Sequence, residues 1–475
     1  MEEQENKEMR PVNPRRKKRS QLDIFKEAYL PVLIAGLAVL LILIFIIGSI
    51  SRSINRKQAE KEASIEASVS LENEYNRLRS EVDDLIARAA VLADKLDYQG
   101  AISLLNTFTG TASQFPDLFD AIDVYQNMQA SLKLWDDPNE VVNLSFQLLI
   151  ADSQRAFADE NYGGAYNRNF ITTSEFTRIL EELYANGYIL VSLDDIYTTV
   201  QTEIGTTAYD AKPLYLPAGK KPLILTQTNV NYNTYMIDGD SDKLPDKDGA
   251  GFASKLVVDT NGQIVCQMVD ANGQTVTGEY DLVPILESFI AAHPDFSYKG
   301  ARAVLAVTGY DGLFGYRTNV SAKEHLGAQA YEQEINGALE IIDALQRTGY
   351  ELACYTYDNI GYGDRSTTQI KADLTSWSNE VTPLLGNVDI LVYAQLSDLT
   401  DEEGYGSEKH NVLQNAGFRF YLGFCEDGNT WSTIADNYVR QGRIMVTGAN
   451  LAHHADWFAD IFDAGYVIDP NRPAV

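Results

Sequence analysis

The sequence predicts an α/β fold: a deformed (β/α) barrel with a small antiparallel β insertion, preceded by a transmembrane helix and a helical stalk. Three observations predict this arrangement. Strand-like runs alternate with helix-like runs after residue 138, which is typical of a largely parallel sheet. One uninterrupted apolar segment lies near the N-terminus. A stretch without proline or glycine, rich in Glu, Ala, Leu and Arg, lies between these two regions.

Composition narrows the class of protein. The chain has 475 residues, of which 45% are hydrophobic and 22% charged, so a folded core can form. A formal net charge of -29 argues against nucleic-acid binding, because an acidic surface repels phosphates. Three cysteines (Cys266, Cys354 and Cys425) are too few for a disulfide framework but leave one pair open. The chain has only 5 histidines, which limits any metal site or imidazole base.

The apolar segment, residues 29–51, predicts a membrane span. No charged residue lies between Glu27 and Arg52. At a helical rise of about 1.5 Å per residue, the segment can cross a hydrocarbon core of ~30 Å. The basic run "RRKKR" at residues 15–19 precedes it, so the positive-inside rule places residues 1–28 in the cytoplasm. No clear cleavage site follows, and we therefore expect an uncleaved signal anchor with the main domain extracellular.

Residues 52–137 predict a helical stalk. Leucines recur at every seventh position, and each is followed four positions later by another residue of the same heptad seam. The seam residues are Leu71, Tyr75, Leu78, Val82, Leu85, Ala89, Leu92 and Leu96. The seam fits a parallel coiled-coil homodimer. It also fits an intramolecular hairpin with the amphipathic helices predicted further along the stalk.

Residues 138–475 form the predicted main domain. Its strand-like runs are "VVNLSFQLLIAD", "ILVSL", "KPLILT", "KGARAVLAVTG", "GYELACYTY", "GNVDILVYAQL", "AGFRFYLGF" and "GRIMVTG". In "TTSEFTRILEELYANGY", Thr173 or Ser174 can cap a helix that ends at Gly187. Two Asn-Gly turns, at residues 261–262 and 272–273, predict an antiparallel meander inserted at about 250–282.

In a (β/α) barrel, the active site lies at the carboxyl ends of the strands. The segments at the predicted strand ends are "TQTN", "TGYDGLFGYRT", "CYTYDN" and "YAQLSD". Polar and aromatic side chains predominate in these segments. We therefore expect a ligand site at this end of the barrel.

The order of segments from residue 141 onward resembles the polysaccharide deacetylases of the NodB-homology family, in a membrane-anchored Gram-positive branch. The segments that carry the resemblance are "FQLLIAD", "NFITTSEFTRILEELYANGYILVSLDDIY", "KPLILTQTNVNYNTYM", "GAGFASKLVVD", "VTGYDGLFGYRT", "GYELACYTYDN" and "FDAGYVIDPNRP". The resemblance implies a barrel of NodB type. Members of the family remove acetyl groups from N-acetylated sugars, using an aspartate pair, two histidines four residues apart and a divalent metal such as zinc.

At the matching positions this chain lacks those residues. The aspartate pair falls on Thr228 and Asn229, and the histidines fall on Tyr355 and Asn359. Gln147 occupies the position of another histidine that is common at a strand end in the family. The resemblance therefore implies a protein that is catalytically inactive, with no metal and no cofactor. An active deacetylase with an unusual site, using zinc or a similar ion, remains an alternative.

Other ionisable residues are weaker candidates. His453 matches the position of the family's general acid, and His454 and Asp456 lie close to it in sequence. Exposed residues at a helix start are the favoured interpretation of both histidines. Asp311 and Asp358 lie at predicted strand ends, where solvated turn residues are the favoured interpretation.

Aromatic and hydrogen-bonding residues near the strand ends suggest glycan contact. The sequence predicts that Tyr232, Tyr310, Arg317 and Tyr357 supply it. The leading hypothesis is a membrane-anchored, extracytoplasmic protein that binds cell-wall glycan or a peptidoglycan-associated partner protein. A structural scaffold that acts through its stalk is the third hypothesis.

Overall fold

The computed structural model describes residues 20–237, 251–399 and 405–475. The chain divides into two compact units, residues 1–83 and 84–475. In the first unit the described residues are helical from Gln21 onward, after the N-cap residue Ser20. The basic run at residues 15–19 lies outside the described residues, so the predicted orientation in the membrane remains a prediction.

The N-terminal helix begins with Gln21–Ile24 and a π-helical turn, Phe25–Tyr29, and continues as Leu30–Asp94. An 18-residue window within it has a mean hydropathy of 3.2, and none of that window is buried. By length and composition, this helix is sufficient to cross a membrane. A membrane anchor and a signal sequence share these properties.

In the second unit, seven parallel strands close into a barrel. In chain order they are β1 (Val142–Phe146), β2 (Lys221–Thr228), β3 (Val304–Val307), β4 (Glu351–Cys354), β5 (Ile390–Val392), β6 (Phe420–Phe424) and β7 (Tyr438–Met445). Around the barrel the order is β3-β4-β5-β6-β7-β1-β2, and hydrogen bonds between β2 and β3 close the ring. The prediction of a (β/α) barrel is confirmed.

Helices connect most of the strands on the outside of the barrel. They are Ser153–Ala158, Gly163–Asn169, Thr173–Ala185, Leu282–Ala292, Ala328–Thr348, Thr367–Glu380, Glu408–Asn415 and, after β7, Gly448–His453. Between β6 and β7 lies a short strand, Ser432–Ala435, which is antiparallel to β7. Another short strand, Tyr188–Leu190, pairs with the first half of β2 outside the ring. The closed ring therefore carries extra strands at two places.

The helix Thr173–Ala185 begins one residue earlier than predicted. Its N-cap is Thr172, whose hydroxyl accepts a hydrogen bond from the Glu175 amide at 3.1 Å. The Glu175 side chain in turn accepts from the Thr172 amide at 2.8 Å and forms an ion pair with Arg472 at 2.5 Å. The prediction of Thr173 or Ser174 as the cap is wrong, because this reciprocal capping box places the cap three residues before a glutamate.

The predicted meander is present. Its strands, Lys255–Val258, Ile264–Val269 and Thr275–Gly278, pair antiparallel, and Gly262 and Gly273 occupy the turns with φ of +81° and +70°. A second hairpin, Tyr197–Gln201 with Thr207–Ala211, was not predicted. Its threonine-rich strands are largely exposed, so they lack the apolar signal on which strand prediction depends.

The inside of the barrel is apolar on one side and polar on the other. Successive strand residues alternate between the inside and the outside of a barrel. Ile224, Val304, Ala353, Val392 and Leu422 belong to one buried apolar cluster with other inward residues. The polar side is formed by β1, β2 and β7, where a buried hydrogen-bonded set crosses between strands. Its members are Asn143, Ser145, Thr226, Gln441 and Arg443.

The three cysteines are all free and buried. Cys354 ends β4, and Cys425 follows β6. No disulfide links any two of them in the structure, so the pairing that the sequence left open does not occur here.

The heptad seam is buried only in its C-terminal half. Leu85, Ala89 and Leu96 are buried, and Leu96 belongs to the same apolar cluster as Ile224 and Val304. By contrast, Leu71 is 72% and Tyr75 46% exposed. The helices Tyr98–Leu105 and Pro116–Ser131 pack against each other, with a hydrogen bond from Gln129 to Gln99 at 3.0 Å. A homodimer through the exposed half of the seam remains a prediction.

The first prediction separates the two stalk arrangements. Leu85→Ala should lower the free energy of unfolding by about 2–5 kcal/mol, because it removes a buried leucine side chain. Leu71→Ala is the matched control, since the same truncation occurs at an exposed position of the same seam. Chemical denaturation of the full chain in detergent measures both. Equal destabilisation by both substitutions would contradict an intramolecular stalk and favour the homodimer.

A buried carboxylate, Asp281, joins β1, β2 and the meander. It accepts hydrogen bonds from the Leu149 amide at 2.9 Å, from Gln227 Nε2 at 2.8 Å and from the Tyr232 hydroxyl at 2.6 Å. The Tyr232 hydroxyl also lies 3.9 Å from the Cys266 thiol of the meander. Burial raises the pKa of Asp281 to about 6.

The second prediction concerns the pH dependence of stability. The folded state holds the Asp281 proton more tightly than the unfolded state does, because the folded pKa is the higher one. The contribution of this group to the unfolding free energy therefore falls by up to about 3 kcal/mol as pH rises from about 4 to about 6. Asp281→Asn should remove this decline in denaturation curves measured across that window. Asp259→Asn is the control: Asp259 is exposed, and a backbone hydrogen bond from Gln263 lowers its pKa, so its contribution runs in the opposite direction. An unchanged profile in Asp281→Asn would contradict the prediction.

Candidate functional site

A cavity of about 600 Å³ opens at the carboxyl ends of the barrel strands. Six carboxamide side chains line it: Gln147, Asn169, Asn229, Asn359, Gln395 and Asn450. Rings and apolar groups line it as well: Tyr355, Leu396, Phe424, Met445 and Trp457. The rest of the lining consists of Cys425, Glu426, Thr447 and Ala449. Each carboxamide can both donate and accept hydrogen bonds. The cavity is therefore suited to a ligand that bears hydroxyl or amide groups and also offers an apolar face.

The structure brings together the positions matched to the family's catalytic residues. Gln147, Asn229, Tyr355 and Asn359 all line the cavity. Thr228 is fully buried; its hydroxyl donates to the Phe146 carbonyl at 3.1 Å and is hydrogen-bonded to Tyr355. These side chains reach one space because β1, β2 and β4 end at the same edge of the barrel.

Strained backbone surrounds this cavity. Asn229, Thr356, Asn359, Gln395 and Leu396 have φ between +52° and +61°. The left-handed region is uncommon for residues other than glycine, and a β-branched threonine there is an outlier. Such conformations cost of order 1–3 kcal/mol each and cluster at ligand sites. Their grouping after β2, β4 and β5 supports this edge of the barrel as the functional site.

Two side-chain oxygens at the cavity lack partners. Asn229 Oδ1 and Asn359 Oδ1 are buried, and no hydrogen-bond donor reaches either of them within the described residues. Asn229 as a whole is only 8% exposed. A buried acceptor without a donor costs about 1–3 kcal/mol. A ligand that offers hydroxyl or amide hydrogens to these two oxygens would recover that cost.

The side chains present do not fit a divalent metal. Asn229, Tyr355 and Asn359 offer neutral oxygens where the family has carboxylate and imidazole, which bind zinc far better. Burial raises the pKa of the Tyr355 phenol and raises the pKa of the Cys425 thiol to about 12. Both groups are therefore protonated at neutral pH. Within residues 20–237, 251–399 and 405–475, no three His, Cys, Asp or Glu side chains group as metal ligands.

None of the four predicted glycan-contact residues lines the cavity. Tyr232 is fully buried against Asp281, so it has no surface to offer a ligand. Arg317 donates to the carbonyls of Asp311 and Tyr232, each at 2.5 Å. Tyr310 is partly buried. Tyr357 is 9% exposed, and its ring covers Gly309. A glycan contact by Tyr232 does not fit the structure, and the rings at the cavity are those of Tyr355, Phe424 and Trp457.

The other ionisable candidates lie outside the cavity lining. His453 is exposed at the end of the helix Gly448–His453, and the ring of His454 stacks on Trp457 at 4.3 Å. His454 is the N-cap of the 3-10 helix Ala455–Phe458, so the exposed helix-start position applies to His454, whereas His453 ends the preceding helix. Asp456 and Asp358 are exposed.

Asp311 differs from the solvated turn residue that the sequence suggested. Its carboxylate accepts from the Thr234 amide at 2.7 Å and pairs with Arg317 at 3.2 Å. These contacts tie the loop after β3 to the loop after β2. Asp311 therefore has a structural role beside the site.

Sequence reasoning missed much of the cavity wall. Phe424 and Glu426 lie at the end of β6, and Met445, Thr447 and Asn450 lie at the end of β7. Both strands were predicted, so inspection of the residues that follow them would have found this part of the wall. Trp457 offered no such signal, because it lies beyond the helix that follows β7.

A second groove of about 560 Å³ adjoins the cavity. The two share Phe424 and Glu426 in their linings. The groove is further lined by Trp431, Arg440 and Asp427. An extended ligand could therefore occupy the cavity and continue along the groove.

Comparisons with known proteins find little similarity. No family model matches the chain, and no curated protein matches it. Among solved structures, one match is a deacetylase of Streptococcus pyogenes, PplD, determined in complex with acetate. It is 12% identical to this chain with a TM-score of 0.32, and the alignment covers 66% of this chain and 93% of the other. A likeness this weak carries no argument about the activity or the site of this protein.

Proposed function

We propose that this chain is a membrane-anchored, extracytoplasmic, deacetylase-like protein that lacks catalysis and binds cell-wall glycan in the cavity at the barrel mouth. The observation that carries the proposal is the set of six carboxamides around that cavity. Sugars present hydroxyl groups that donate and accept, together with apolar ring faces. Carboxamides and aromatic rings match both features.

The shape of the site supports an oligosaccharide rather than a single sugar. The cavity continues through Phe424 and Glu426 into the groove lined by Trp431. Aromatic side chains therefore occur in both parts, with Trp457 in the cavity and Trp431 in the groove. A glycan chain can place one ring against each.

The side chains at the matched family positions argue against hydrolysis. Hydrolysis of an acetamide requires an activated water and stabilisation of an oxyanion, which the family obtains from its metal and an aspartate base. Thr228 is buried and has no useful basicity, and Asn229 cannot accept a proton at neutral pH. Binding without turnover is therefore the activity that these residues support.

The third prediction tests the carboxamides. Asn229→Gly and Asn359→Gly remove the side chains without adding backbone strain, because both residues have positive φ. Each should weaken the binding of a chito-oligosaccharide about tenfold, the equivalent of one lost hydrogen bond. Isothermal titration calorimetry of the full chain in detergent measures the effect.

Lys299→Gly is the matched control for that prediction. Lys299 has φ of +53° and is exposed, but it lies away from the cavity. The control should bind the oligosaccharide as the natural protein does. Undiminished binding in both asparagine variants would contradict the proposed site, and absence of binding by the natural protein would contradict the proposed function.

The fourth prediction concerns metal. A chelator should leave the melting temperature unchanged, whereas a protein that bound zinc at a hundredfold excess over its dissociation constant would lose ~2.7 kcal/mol on chelation. Restoring the family pattern by Thr228→Asp, Asn229→Asp, Tyr355→His and Asn359→His should create zinc binding that elemental analysis detects. Stoichiometric zinc in the natural protein, with deacetylation lost in Asn229→Ala, would establish the active enzyme instead.

A further inference from the structure

Arg443 is a buried cation beneath the cavity. It faces the inside of the barrel on β7, two residues before Met445 of the cavity wall, and it is 1% exposed. Its guanidinium donates to the Gly423 carbonyl at 2.8 Å, the Ser145 hydroxyl at 2.8 Å and the Tyr393 carbonyl at 3.1 Å. All three acceptors are neutral.

The charge of Arg443 is not balanced by a paired carboxylate. In the part of the chain that the structure describes, no Asp or Glu forms an ion pair with it. The negative charge of Asp398 raises the pKa of Arg443 from a distance. The same carboxylate lies 3.9 Å from the guanidinium of Arg440, so the two guanidinium groups share it. Burial lowers the pKa of Arg443 to about 10, so it remains charged at neutral pH. Among the described side chains, two buried guanidinium groups, those of Arg440 and Arg443, therefore share one buried carboxylate, that of Asp398.

The field of this charge reaches the cavity wall. Burial is the larger effect on Tyr355 and Cys425 and raises the pKa of each. Arg443 acts in the opposite direction on both groups and lowers the pKa. Since both side chains line the cavity, an anion placed there would experience the same attraction.

The acidic residue at the cavity has a weaker effect. Glu426 lines the cavity but is exposed to solvent. Water and salt screen an exposed charge, whereas a charge buried behind protein atoms is screened much less. We therefore expect Arg443 to attract an anion in the cavity more strongly than Glu426 repels it.

We propose that the cavity selects a ligand that carries an anionic group, a carboxylate or a phosphate, and that Arg443 supplies the selectivity through its field. This inference rests on the proposed glycan binding and specifies the class of glycan as an acidic one. The carboxamides contact the neutral part of the ligand, and the excess charge beneath them favours the acidic substituent. Direct contact with Arg443 is not required, because Arg443 does not itself line the cavity and its charge acts through the wall.

Three monosaccharides test the inference on the full chain in detergent at low salt. N-acetylglucosamine is neutral, N-acetylmuramic acid adds a carboxylate, and N-acetylglucosamine 6-phosphate adds a phosphate. Either or both acidic sugars should bind about tenfold more tightly than the neutral one, and the preference should diminish as salt is added. The comparison of the two acidic sugars identifies which anion the site takes.

Arg443→Gln should abolish the preference, because it removes the charge but retains hydrogen-bonding groups. Arg347→Gln is the matched control: it causes the same change in net charge at an exposed position outside the cavity lining, where Arg347 pairs with Asp343. Glu426→Gln leaves Arg443 in place and should modestly increase the affinity for acidic ligands. If Arg443→Gln fails to fold, Glu426→Gln and the three-sugar comparison in the natural protein decide the question.

Equal binding of all three sugars would overturn the inference and leave the proposed glycan binding intact. A preference that persists in Arg443→Gln would also overturn the inference. No binding of these sugars or of longer oligosaccharides would overturn the proposed function and, with it, the inference.

Discussion

Hydrogen bonding between β2 and β3 is the constraint on which the rest of the structure depends. The contact is short: Thr226, Gln227 and Thr228 pair with residues 304–306. The first half of β2 pairs instead with Tyr188–Leu190. Only the carboxyl half of β2 therefore closes the ring. Because closure occurs at that end, the loops that follow the strands are brought face to face around one cavity.

The same closure confines polar side chains inside the barrel. Asn143 donates to Gln441 at 3.0 Å and accepts from Thr226 at 2.9 Å, and Arg443 donates to Ser145. Burying such a set is not the most stabilising way to fill a barrel, since well-packed apolar residues are often as good or better. Among the residues that the structure describes, no carboxylate forms an ion pair with Arg443 to compensate for its burial. We therefore attribute its presence to the site above it rather than to the stability of the fold.

The strands, the meander and the matched positions could be predicted because each depends on a local pattern: apolar runs, Asn-Gly turns and the order of segments. The direction in which individual side chains point could not be predicted in this way. Tyr232 follows β2 closely, which is a typical position for a residue that contacts a ligand. Its φ is +49°, however, and its ring is buried against Asp281. Arg443 lies on a strand whose successive side chains point to opposite faces. Which of these two sets of side chains faces the inside of the barrel depends on pairing with strands that are far apart in sequence.

A carboxylate outside the cavity holds its wall in place. Asp373 accepts hydrogen bonds from the amides of Tyr357 and Asp358 at 2.8 and 2.9 Å and from the Tyr362 hydroxyl at 2.6 Å. Thr356 is strained, but its hydroxyl accepts from the Ile360 amide at 2.9 Å, which offsets part of that cost. The loop that presents Asn359 is thus held by protein groups and needs no central metal to define it. A wall that is ordered before the ligand arrives loses little entropy on binding, so the unpaired oxygen of Asn359 can contribute its hydrogen bond to affinity.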